Sequence, residues 1–460
     1  MKHRVLVQEL HDHIDKEVTV AGYIDVRRDH GKLVFLDLRD RTGFVQAVAL
    51  PNHEEVIAEA RSVRPEYVVT AKAKVNKRPE RMVKTDQANG DIELELLELQ
   101  VISAADELPF DMDADLNIDT LFDYRPLTLR RARERAIFSV QAEILHGYRD
   151  FLRAEGFTEF QAPKIVGDDA EGGADVFRFE YFHEKMASLA TSPQLYKQIM
   201  VGVYERVFST GTMFRAERHA TSRHLNEIAM LDLEMGFIED HRDVMALQER
   251  LMRYLNKHLV KVAEAEFSAL GATVPLLPEA PFPVMKLREA QALIKAQTGK
   301  DNTNEPDLEP EDERWLCNYA REQYGSDYIF ITHFPSSKRP FYTMDDPDDP
   351  GFSRSFDLLL RGIEVLSGSQ RVHDHAMLME KIGSKNLDPE KFAYYLLAFK
   401  YGLPPHGGTG MGLERLTEKM LGLQNVKEAS LFPRDMNRID TLLTSVEQTP
   451  PTDTDAHLSA

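Results

Sequence analysis

The chain has 460 residues, 42% of them hydrophobic, a formal net charge of −20 at pH 7 and one cysteine, Cys317. This length predicts two or three domains, and the absence of any apolar run of 18 residues predicts no membrane span. The charge argues against non-specific coating of nucleic acid, and the single cysteine excludes an internal disulfide or a multi-cysteine zinc site and favours a reducing cytoplasm.

Five short segments near the start alternate apolar and polar residues, as half-buried strands do. They cover residues 18–24, 33–39, 44–50, 67–75 and 92–102. Gly, Asp, Asn and Arg fill the intervals, which is typical of turns. So many short strands in one stretch predict a small closed barrel over residues 1–103, and a five-stranded OB-fold is the expected form.

The rest of the chain predicts an α+β domain. Residues 104–131 contain prolines and many acids and are expected to form an irregular hinge. From Ala132 to Gly156 apolar residues recur at helical spacing and predict a long helix. Residues 132–440 mix further strands and helices without regular βαβ alternation. Residues 441–460 are rich in Pro and Thr and are expected to be disordered.

Three segments of the second domain carry the chemistry. They are GFTEFQAPKIV, which ends at Val166, FRAERHATSRHLNEIAMLDLEMGF, which starts at Phe214, and PPHGGTGMGLERLTEKMLGLQNVKEASLFPRD, over residues 404–435. The last predicts a glycine-rich strand and turn that lead into a helix, with Glu414 and Arg415 at the helix start. In this order and spacing the segments resemble motifs 1, 2 and 3 of the class II aminoacyl-tRNA synthetases.

The resemblance implies an adenylate-forming enzyme that binds ATP. A carboxylate must attack a phosphate, so two anions meet, and fixed guanidinium groups lower that barrier. Arg215 would hold the α-phosphate and Arg415 the γ-phosphate, as the two catalytic residues. Glu217 would accept a hydrogen bond from the adenine amino group, while Arg223 and His224 would reach the γ-phosphate. The alternative for Arg215 and Glu217 is a cross-strand ion pair.

Further segments resemble the aspartyl-tRNA synthetase family in its compact archaeal and eukaryotic form. They lie at residues 171–182, 190–208, 354–373 and 401–408. The resemblance extends over residues 1 to about 440 and implies L-aspartate and tRNA(Asp) as substrates. It also implies a cytoplasmic homodimer with Pro163 of motif 1 at the two-fold interface.

The resemblance also places an amino-acid pocket in the second domain. Lys197 and Arg371 match the cations that neutralise the aspartate side chain; as buried, unpaired charges they would reject asparagine. The alternatives are a surface lysine and a structural ion pair. Glu171, Gln194 and Asp232 match positions that bind the substrate ammonium group.

A magnesium site is expected beside this pocket. Glu364 and Ser367 match the family's Mg²⁺ ligands, and Ser367 also counts among the aspartate-binding residues. A carboxylate and a hydroxyl, completed by ATP oxygens and water, suit a hard cation that keeps part of its water shell.

The barrel is expected to read the anticodon, because OB-folds bind splayed single strands by stacking bases on aromatic side chains. Phe35 and Gln46, on neighbouring strands, match the family's stacking aromatic and base-reading amide. Arg27 and Glu93 match two further contacts. The alternative for Phe35 is core filling.

Several residues depart from the family pattern. They are Thr191, Ile228, Met230, Ser369 and Thr409. These departures bear on amino-acid specificity more than on ATP chemistry. Alternatives therefore remain: a non-discriminating enzyme that also charges tRNA(Asn), an asparaginyl-tRNA synthetase, or an inactive paralogue that binds RNA.

Overall fold

The computed structural model describes residues 3–85, 87–167, 175–219 and 221–443. The contacts within the chain divide it into two units, Met1–Asp115 and Leu116–Ala460. Among the described residues, none of the helices combines the length and the apolar character that crossing a membrane requires.

The first unit is a closed five-stranded barrel. Its strands are β1 (Glu17–Asp29), β2 (Val34–Asp40), β3 (Gly43–Ala49), β4 (Val68–Lys77) and β5 (Ile92–Ser103), in the order β1-β2-β3-β5-β4. Helix α1 (Glu54–Ser62) lies between β3 and β4 in the chain, and 3-10 helices cover Val7–His13 and Glu80–Met82. Every second residue of β2 is buried in the barrel core, as strand alternation requires. The predicted OB-fold is confirmed.

The second unit contains the remaining strands. They are β6 (Thr158–Glu159), β7 (Ile165–Val166), β8 (Arg178–Tyr181), β9 (Lys185–Leu189), β10 (Arg206–Phe214), β11 (Glu227–Gly236), β12 (Val284–Lys286), β13 (Tyr328–Thr332), β14 (Ser355–Leu360), β15 (Ile363–Arg371) and β16 (His406–Gly412).

Most of these strands form one sheet in the order β12-β13-β14-β15-β16-β11-β10-β6. Neighbours are antiparallel from β13 to β10, whereas β12 and β6 pair in parallel at the two edges. A smaller sheet has the order β7-β9-β8. The α+β prediction is confirmed.

The helices of the second unit flank the large sheet. They are α2 (Ile118–Asp123), α3 (Arg125–Thr128), α4 (Ala132–Ala154), α5 (Gln194–Tyr204), α6 (His241–Val262), α7 (Glu264–Ala269), α8 (Leu287–Thr298), α9 (Pro310–Tyr324), α10 (His375–Ser384), α11 (Ala393–Lys400) and α12 (Leu413–Leu421), with 3-10 helices at Phe182–Glu184, Pro389–Phe392 and Val426–Ala429. Residues of α4, α6 and α12 share one apolar core with the sheet, whereas α8 and α9 pack against β13 and β14 in a second core.

The segment expected to be an irregular hinge, 104–131, contains α2 and α3, which belong to the second unit. Asn117 caps α2 by accepting a hydrogen bond from the N–H of Thr120 at 2.9 Å. The buried guanidinium of Arg125 donates to the carbonyls of Ser430 and Leu431 at 2.7 Å each. These polar contacts order a stretch whose composition indicated a loop.

Candidate active site

A cleft of about 380 Å³ opens on the face of the large sheet that α4 and α6 do not cover. Along β11, Leu231 and Leu233 pack in the helix-covered core, whereas Met230 and Asp232 line the cleft, because alternate residues of a strand face opposite sides. The cleft brings together all but one of the predicted site residues of this unit. They are Gln194, Lys197, Arg215, Glu217, Arg223, His224, Asp232, Glu364, Ser367, Arg371 and Arg415. Glu171 lies outside the described residues.

Strands β10 and β11 and the polar loop between them hold one end of the cleft. The strands pair continuously from Arg206↔Met235 to Phe214↔Glu227. The amide of Asn226 donates to the carbonyls of Arg215 at 2.6 Å and Glu217 at 3.0 Å and so fixes the start of the loop. The side chains of these two residues are 3.8 Å apart, which is a loose pair that a phosphate or an adenine can share.

His224 lies farther along this loop. Its Nδ1 is 2.6 Å from the hydroxyl of Thr221, and its Nε2 is 3.7 Å from the Glu217 carboxylate. Burial lowers the pKa of the imidazole. The neutral form is therefore favoured near pH 7, and it presents one N–H donor.

The glycine-rich strand β16 and helix α12 form the floor, as the sequence predicts. A Cβ on Gly408 would lie 2.1 Å from the carbonyl oxygen of Leu233 and 2.2 Å from Glu234 Oε2, so only glycine lets β16 approach β11 here. Arg415 follows in the first turn of α12, and its Nη1 donates to the carbonyl of Glu364 at 3.4 Å. Burial raises the pKa of the neighbouring Glu414 carboxyl, which accepts from the N–H of Ala229, to about 7.

Lys197 is buried, with 1% of its side chain exposed, which rules out a surface lysine. Its ammonium group donates to Asp232 Oδ1 and to the carbonyl of Thr409, both at 2.9 Å, and lies 3.5 Å from Glu234 Oε2. Helix α5 places this side chain on the cleft face of the sheet.

Arg371, at the end of β15, meets the same carboxylate from the other side. Its Nε donates to Glu234 Oε1 at 2.9 Å, its Nη1 to the hydroxyl of Ser369 at 2.6 Å and its Nη2 to the carbonyl of Gly408 at 2.9 Å. Burial alone would raise the pKa of the Glu234 carboxyl, but Arg371 and Lys197 outweigh it and lower that pKa. Glu234 is therefore ionised.

The expectation of unpaired cations in the pocket was wrong. Lys197 and Arg371 are balanced by Asp232 and Glu234, because two cations without counter-charges would be too costly to bury. Sequence reasoning missed Glu234, although its signal was present: it follows Asp232 by two residues in an otherwise apolar strand, so both acids must face the same side.

Two side-chain oxygens at the cleft are available to accept a hydrogen bond from a ligand. Gln194 donates its amide N–H to the side-chain oxygen of Gln198 at 3.1 Å, so its own oxygen remains an acceptor toward the cleft that Gln194 lines. Asp232 Oδ2 is buried and has no hydrogen-bond partner among the described residues. An unsatisfied carboxylate oxygen in a buried site fits a cationic ligand.

A pair of carboxylates lies across the cleft. Burial and the nearby carboxylate of Asp357 raise the pKa of the Glu364 carboxyl to about 7. Asp357 is directly opposite Ser367 on the neighbouring strand, and Arg339 donates to its Oδ2 at 2.8 Å. Its Oδ1 is buried without a partner within the described part of the chain. Sequence reasoning missed Asp357, a lone acid inside the apolar strand SFDLLL.

These groups fit Mg²⁺. Two carboxylates and the Ser367 hydroxyl are hard oxygen ligands, and like charges held close together are relieved by a divalent cation. No cluster of three or more His, Cys, Asp or Glu suited to a metal occurs among the described residues. An ion held here would take its other ligands from water and phosphate oxygens, as Mg²⁺ commonly does.

The family departures occupy different positions. The Thr409 side chain accepts a hydrogen bond from Gln248 of α6 at 2.7 Å and therefore faces away from the cleft. Ser369 accepts from Arg371 and so braces that guanidinium group. Ile228 and Met230 line the cleft itself. Ser369 lines the cleft as well, so three of the five departures alter the surface that a ligand meets, whereas Thr191 is buried next to Ser192, which lines the cleft.

In the barrel unit, Phe35, Gln46 and Glu93 alternate with buried residues and share the outer surface, so Phe35 does not fill the core. Arg27 does not share this surface. It is paired with Leu36, which faces inward, and its guanidinium donates to the carbonyl of Arg61.

Arg28, rather than Arg27, shares the outer surface with Phe35. It lies opposite Phe35 and donates two hydrogen bonds, of 2.7 and 2.9 Å, to Asp37. A strand irregularity between Ile24 and Val26 shifts the register, and no sequence pattern announces it.

Comparison with known families agrees with this geometry. A model for class II tRNA synthetases (D, K and N) matches residues 117–436, and a model for an OB-fold nucleic acid binding domain matches residues 18–102. The chain belongs to the class II tRNA synthetases (D, K and N).

Comparison with individual proteins confirms the resemblance of the chain to aspartyl-tRNA synthetases. An aspartate–tRNA(Asp/Asn) ligase of Deinococcus radiodurans is 45% identical over 95% of this chain and 98% of its own length. An aspartyl-tRNA synthetase structure from Entamoeba histolytica has a TM-score of 0.84 at 29% identity, covering 95% of this chain and 92% of its own. An asparaginyl-tRNA synthetase structure from Pyrococcus horikoshii, complexed with asparaginyl-adenylate, has a TM-score of 0.86 at 31% identity, covering 95% and 100%.

Proposed function

We propose that the chain attaches L-aspartate to tRNA in two steps, through an aspartyl-adenylate formed from ATP. The observation that carries the proposal is that Lys197 and Arg371, which both lie beside the buried Glu234, line the same cleft as Arg215 and Arg415. One end of the cleft can take a carboxylate side chain and the other a polyphosphate. The aspartate–tRNA(Asp/Asn) ligase relative supports the same assignment.

At the nucleotide end, Arg215 binds the α-phosphate and Arg415 the γ-phosphate, because planar guanidinium groups grip two phosphate oxygens at once. Glu217 accepts from the adenine amino group. Arg223 and the neutral imidazole of His224 donate to the terminal phosphate. Asp357, Glu364 and Ser367 would hold Mg²⁺, which would neutralise charge on the triphosphate.

At the amino-acid end, Asp232 Oδ2 and the Gln194 oxygen accept from the substrate ammonium group, and Glu171 is expected to join them. Lys197 and Arg371 donate to the side-chain carboxylate. The hydroxyl of Ser367 borders both ends. The substrate is thereby oriented with its α-carboxylate toward the α-phosphate.

The reaction itself needs no nucleophile from the chain. An oxygen of the aspartate α-carboxylate attacks the α-phosphorus in line, and the bond to the bridging oxygen breaks to release pyrophosphate. The 3′-hydroxyl of the terminal adenosine then attacks the aspartyl carbonyl, loses its proton and displaces AMP. Arg215 stabilises the charge that builds on the α-phosphate in both steps, so orientation and electrostatics supply the acceleration.

The barrel would read the anticodon. Phe35 is available for stacking and the Gln46 amide for base edges, although Gln46 Oε1 lies 3.3 Å from Lys84 Nζ and would exchange that contact on binding. Arg28 shares this surface and is a better candidate than Arg27. tRNA(Asp) is the expected partner, and tRNA(Asn) a second one if the enzyme does not discriminate.

The test is ATP–pyrophosphate exchange with aspartate and with asparagine, each with and without tRNA, followed by aminoacylation of tRNA(Asp) and tRNA(Asn). Exchange with aspartate alone is expected. Exchange with asparagine would favour the asparaginyl enzyme, which the likeness to the Pyrococcus structure keeps as the second candidate. No exchange with either amino acid would refute the proposal and favour an inactive RNA-binding paralogue.

Two expectations extend the proposal. The chain would form a homodimer through the motif 1 region, where Pro163 is exposed between β6 and β7. Light scattering that gives the mass of one chain at micromolar concentration would refute this. The cytoplasmic location stays a prediction.

A further inference from the structure

Helix α9 lies outside the three motifs, yet its Glu313 side chain contacts two residues that line the cleft, Arg223 and Glu364. Glu313 Oε2 accepts a hydrogen bond from Arg223 Nη1 at 2.8 Å. Its other oxygen, Oε1, accepts from the backbone N–H of Glu364 at 3.2 Å. A single carboxylate therefore connects the loop after β10 to the start of β15.

This contact is partly shielded from water. The side chains of Glu313 and Arg223 are 13% and 25% exposed. Burial raises the pKa of the Glu313 carboxyl, although Arg223 opposes that effect. A charge-assisted hydrogen bond in such surroundings is stronger than an exposed surface pair.

A second acceptor holds the same guanidinium group. The carbonyl of Gly362 lies 3.3 Å from Arg223 Nη2. Gly362 forms the tight turn between β14 and β15 with Arg361, and their φ angles of 87° and 46° match the positive values that a two-residue hairpin prefers. The Gly362 carbonyl of the turn and the Glu313 carboxylate of α9 thus both hold the Arg223 guanidinium group in place.

These contacts matter for Arg223 because it lies on a loop. Arg415 is carried by a helix, whereas Arg223 lies in the connection between β10 and β11. A guanidinium group has five N–H donors, so the two contacts leave others for the cleft that Arg223 lines. Fixing a long side chain before the ligand arrives removes an entropic cost from binding.

We propose that Glu313 is a positioning residue of the nucleotide site, which holds Arg223 in place for the terminal phosphates of ATP. The inference rests on the proposed function and adds to it a residue from α9. Glu313 itself does not contact ATP and transfers no proton.

The test compares Glu313→Ala and Glu313→Gln with a matched control, Glu322→Gln, at an exposed position of the same helix. Calorimetry measures ATP affinity, and pyrophosphate exchange gives KM for ATP and for aspartate separately. Glu313→Ala should weaken ATP binding about tenfold, the effect of one charged hydrogen bond. Glu313→Gln keeps the shape and an acceptor and should lose less. KM for aspartate and the control should not change.

A double-variant comparison makes the test specific. If Glu313 acts through Arg223, then Arg223→Ala combined with Glu313→Ala should bind ATP no more weakly than Arg223→Ala alone. Additive losses would overturn the inference, as would unchanged ATP affinity in Glu313→Ala or an equal rise in both KM values. Calorimetry with ATP alone needs no amino acid, so failure of aspartate-dependent exchange in the unmodified protein would be recognised as failure of the proposed function instead.

Discussion

Replacing Arg371 by methionine should separate its part in the fold from its part in substrate binding. The guanidinium is 6% exposed and makes hydrogen bonds to Glu234, Ser369 and Gly408. Without it, Lys197, 3.5 Å away, is the one cation paired with the fully buried Glu234 in the described part of the chain. Removing one partner of a buried ion pair costs about 3–5 kcal/mol. The free energy of unfolding of Arg371→Met should fall by about that amount.

The double variant Arg371→Met with Glu234→Gln should recover most of this stability. Both charges are then gone, and replacing a whole buried pair by neutral groups of similar volume is often close to neutral. Lys197 keeps Asp232 as its partner at 2.9 Å, so no cation is left unpaired. Aspartate binding should not recover, because the donor for the substrate carboxylate is still missing.

Urea unfolding measures the stability of the three proteins, and pyrophosphate exchange measures aspartate activation. ATP affinity, measured by calorimetry, serves as the control and should remain unchanged throughout. The reasoning would be refuted if the double variant regained aspartate-dependent exchange, since Arg371 would then act only on the fold. A single variant as stable as the unmodified protein would refute the account of the ion pair.

Three further predictions use other parts of the chain. Gly408→Ala should lower the free energy of unfolding by about 3 kcal/mol or more, since the new Cβ would lie 2.1 Å from a backbone oxygen. Gly383→Ala, at an open position of α10, should raise it by about 0.5–1 kcal/mol. Urea unfolding of both variants measures these changes. Burial lowers the pKa values of His241 and His406 to about 4, below the usual 6.5. The free energy of unfolding should therefore fall by about 3 kcal/mol per histidine as the pH drops from about 6.5 to 4. Urea unfolding that shows no dependence on pH in this range would contradict this. Phe35→Ala should raise KM for tRNA about tenfold in aminoacylation while leaving pyrophosphate exchange unchanged.

The sequence predicted the fold where local periodicity and core packing agree. The barrel strands alternate, and the long helix before motif 1 shows a clean apolar stripe; it ends at Ala154, two residues before the predicted end. Residues 116–131 were misjudged because their order comes from contacts with distant carbonyls near residue 430, which composition does not reveal. The strand irregularity near Asp25 was equally hidden, and it moved Arg27 off the outer surface.

The candidate site could be predicted as a set of residues but not as a network. The three motifs and the further segments that resemble the family pointed to the arginines, Lys197 and Glu364, and the structure brings these residues into one cleft. Residues that contact this set could not be predicted when they lie outside the motifs, as Glu313 does, or resemble ordinary strand residues, as Asp357 does. The charge balance in the pocket depends on which strands are neighbours, and the order of strands in the sheet determines this.

The balance of charges in the pocket changes how selectivity for aspartate must be explained. With Lys197 and Arg371 matched by Asp232 and Glu234, the pocket does not attract aspartate by an excess of positive charge. Both oxygens of Glu234 face these cations, so they are engaged and fixed in place. Toward a substrate side chain the two cations therefore present N–H donors, and Glu234 offers no free acceptor. A carboxylate accepts from all of them, whereas an amide must turn one N–H₂ group toward another donor, and that unsatisfied contact costs about 1–3 kcal/mol. Selectivity therefore depends on Glu234 staying ionised and engaged, as much as on the two cations.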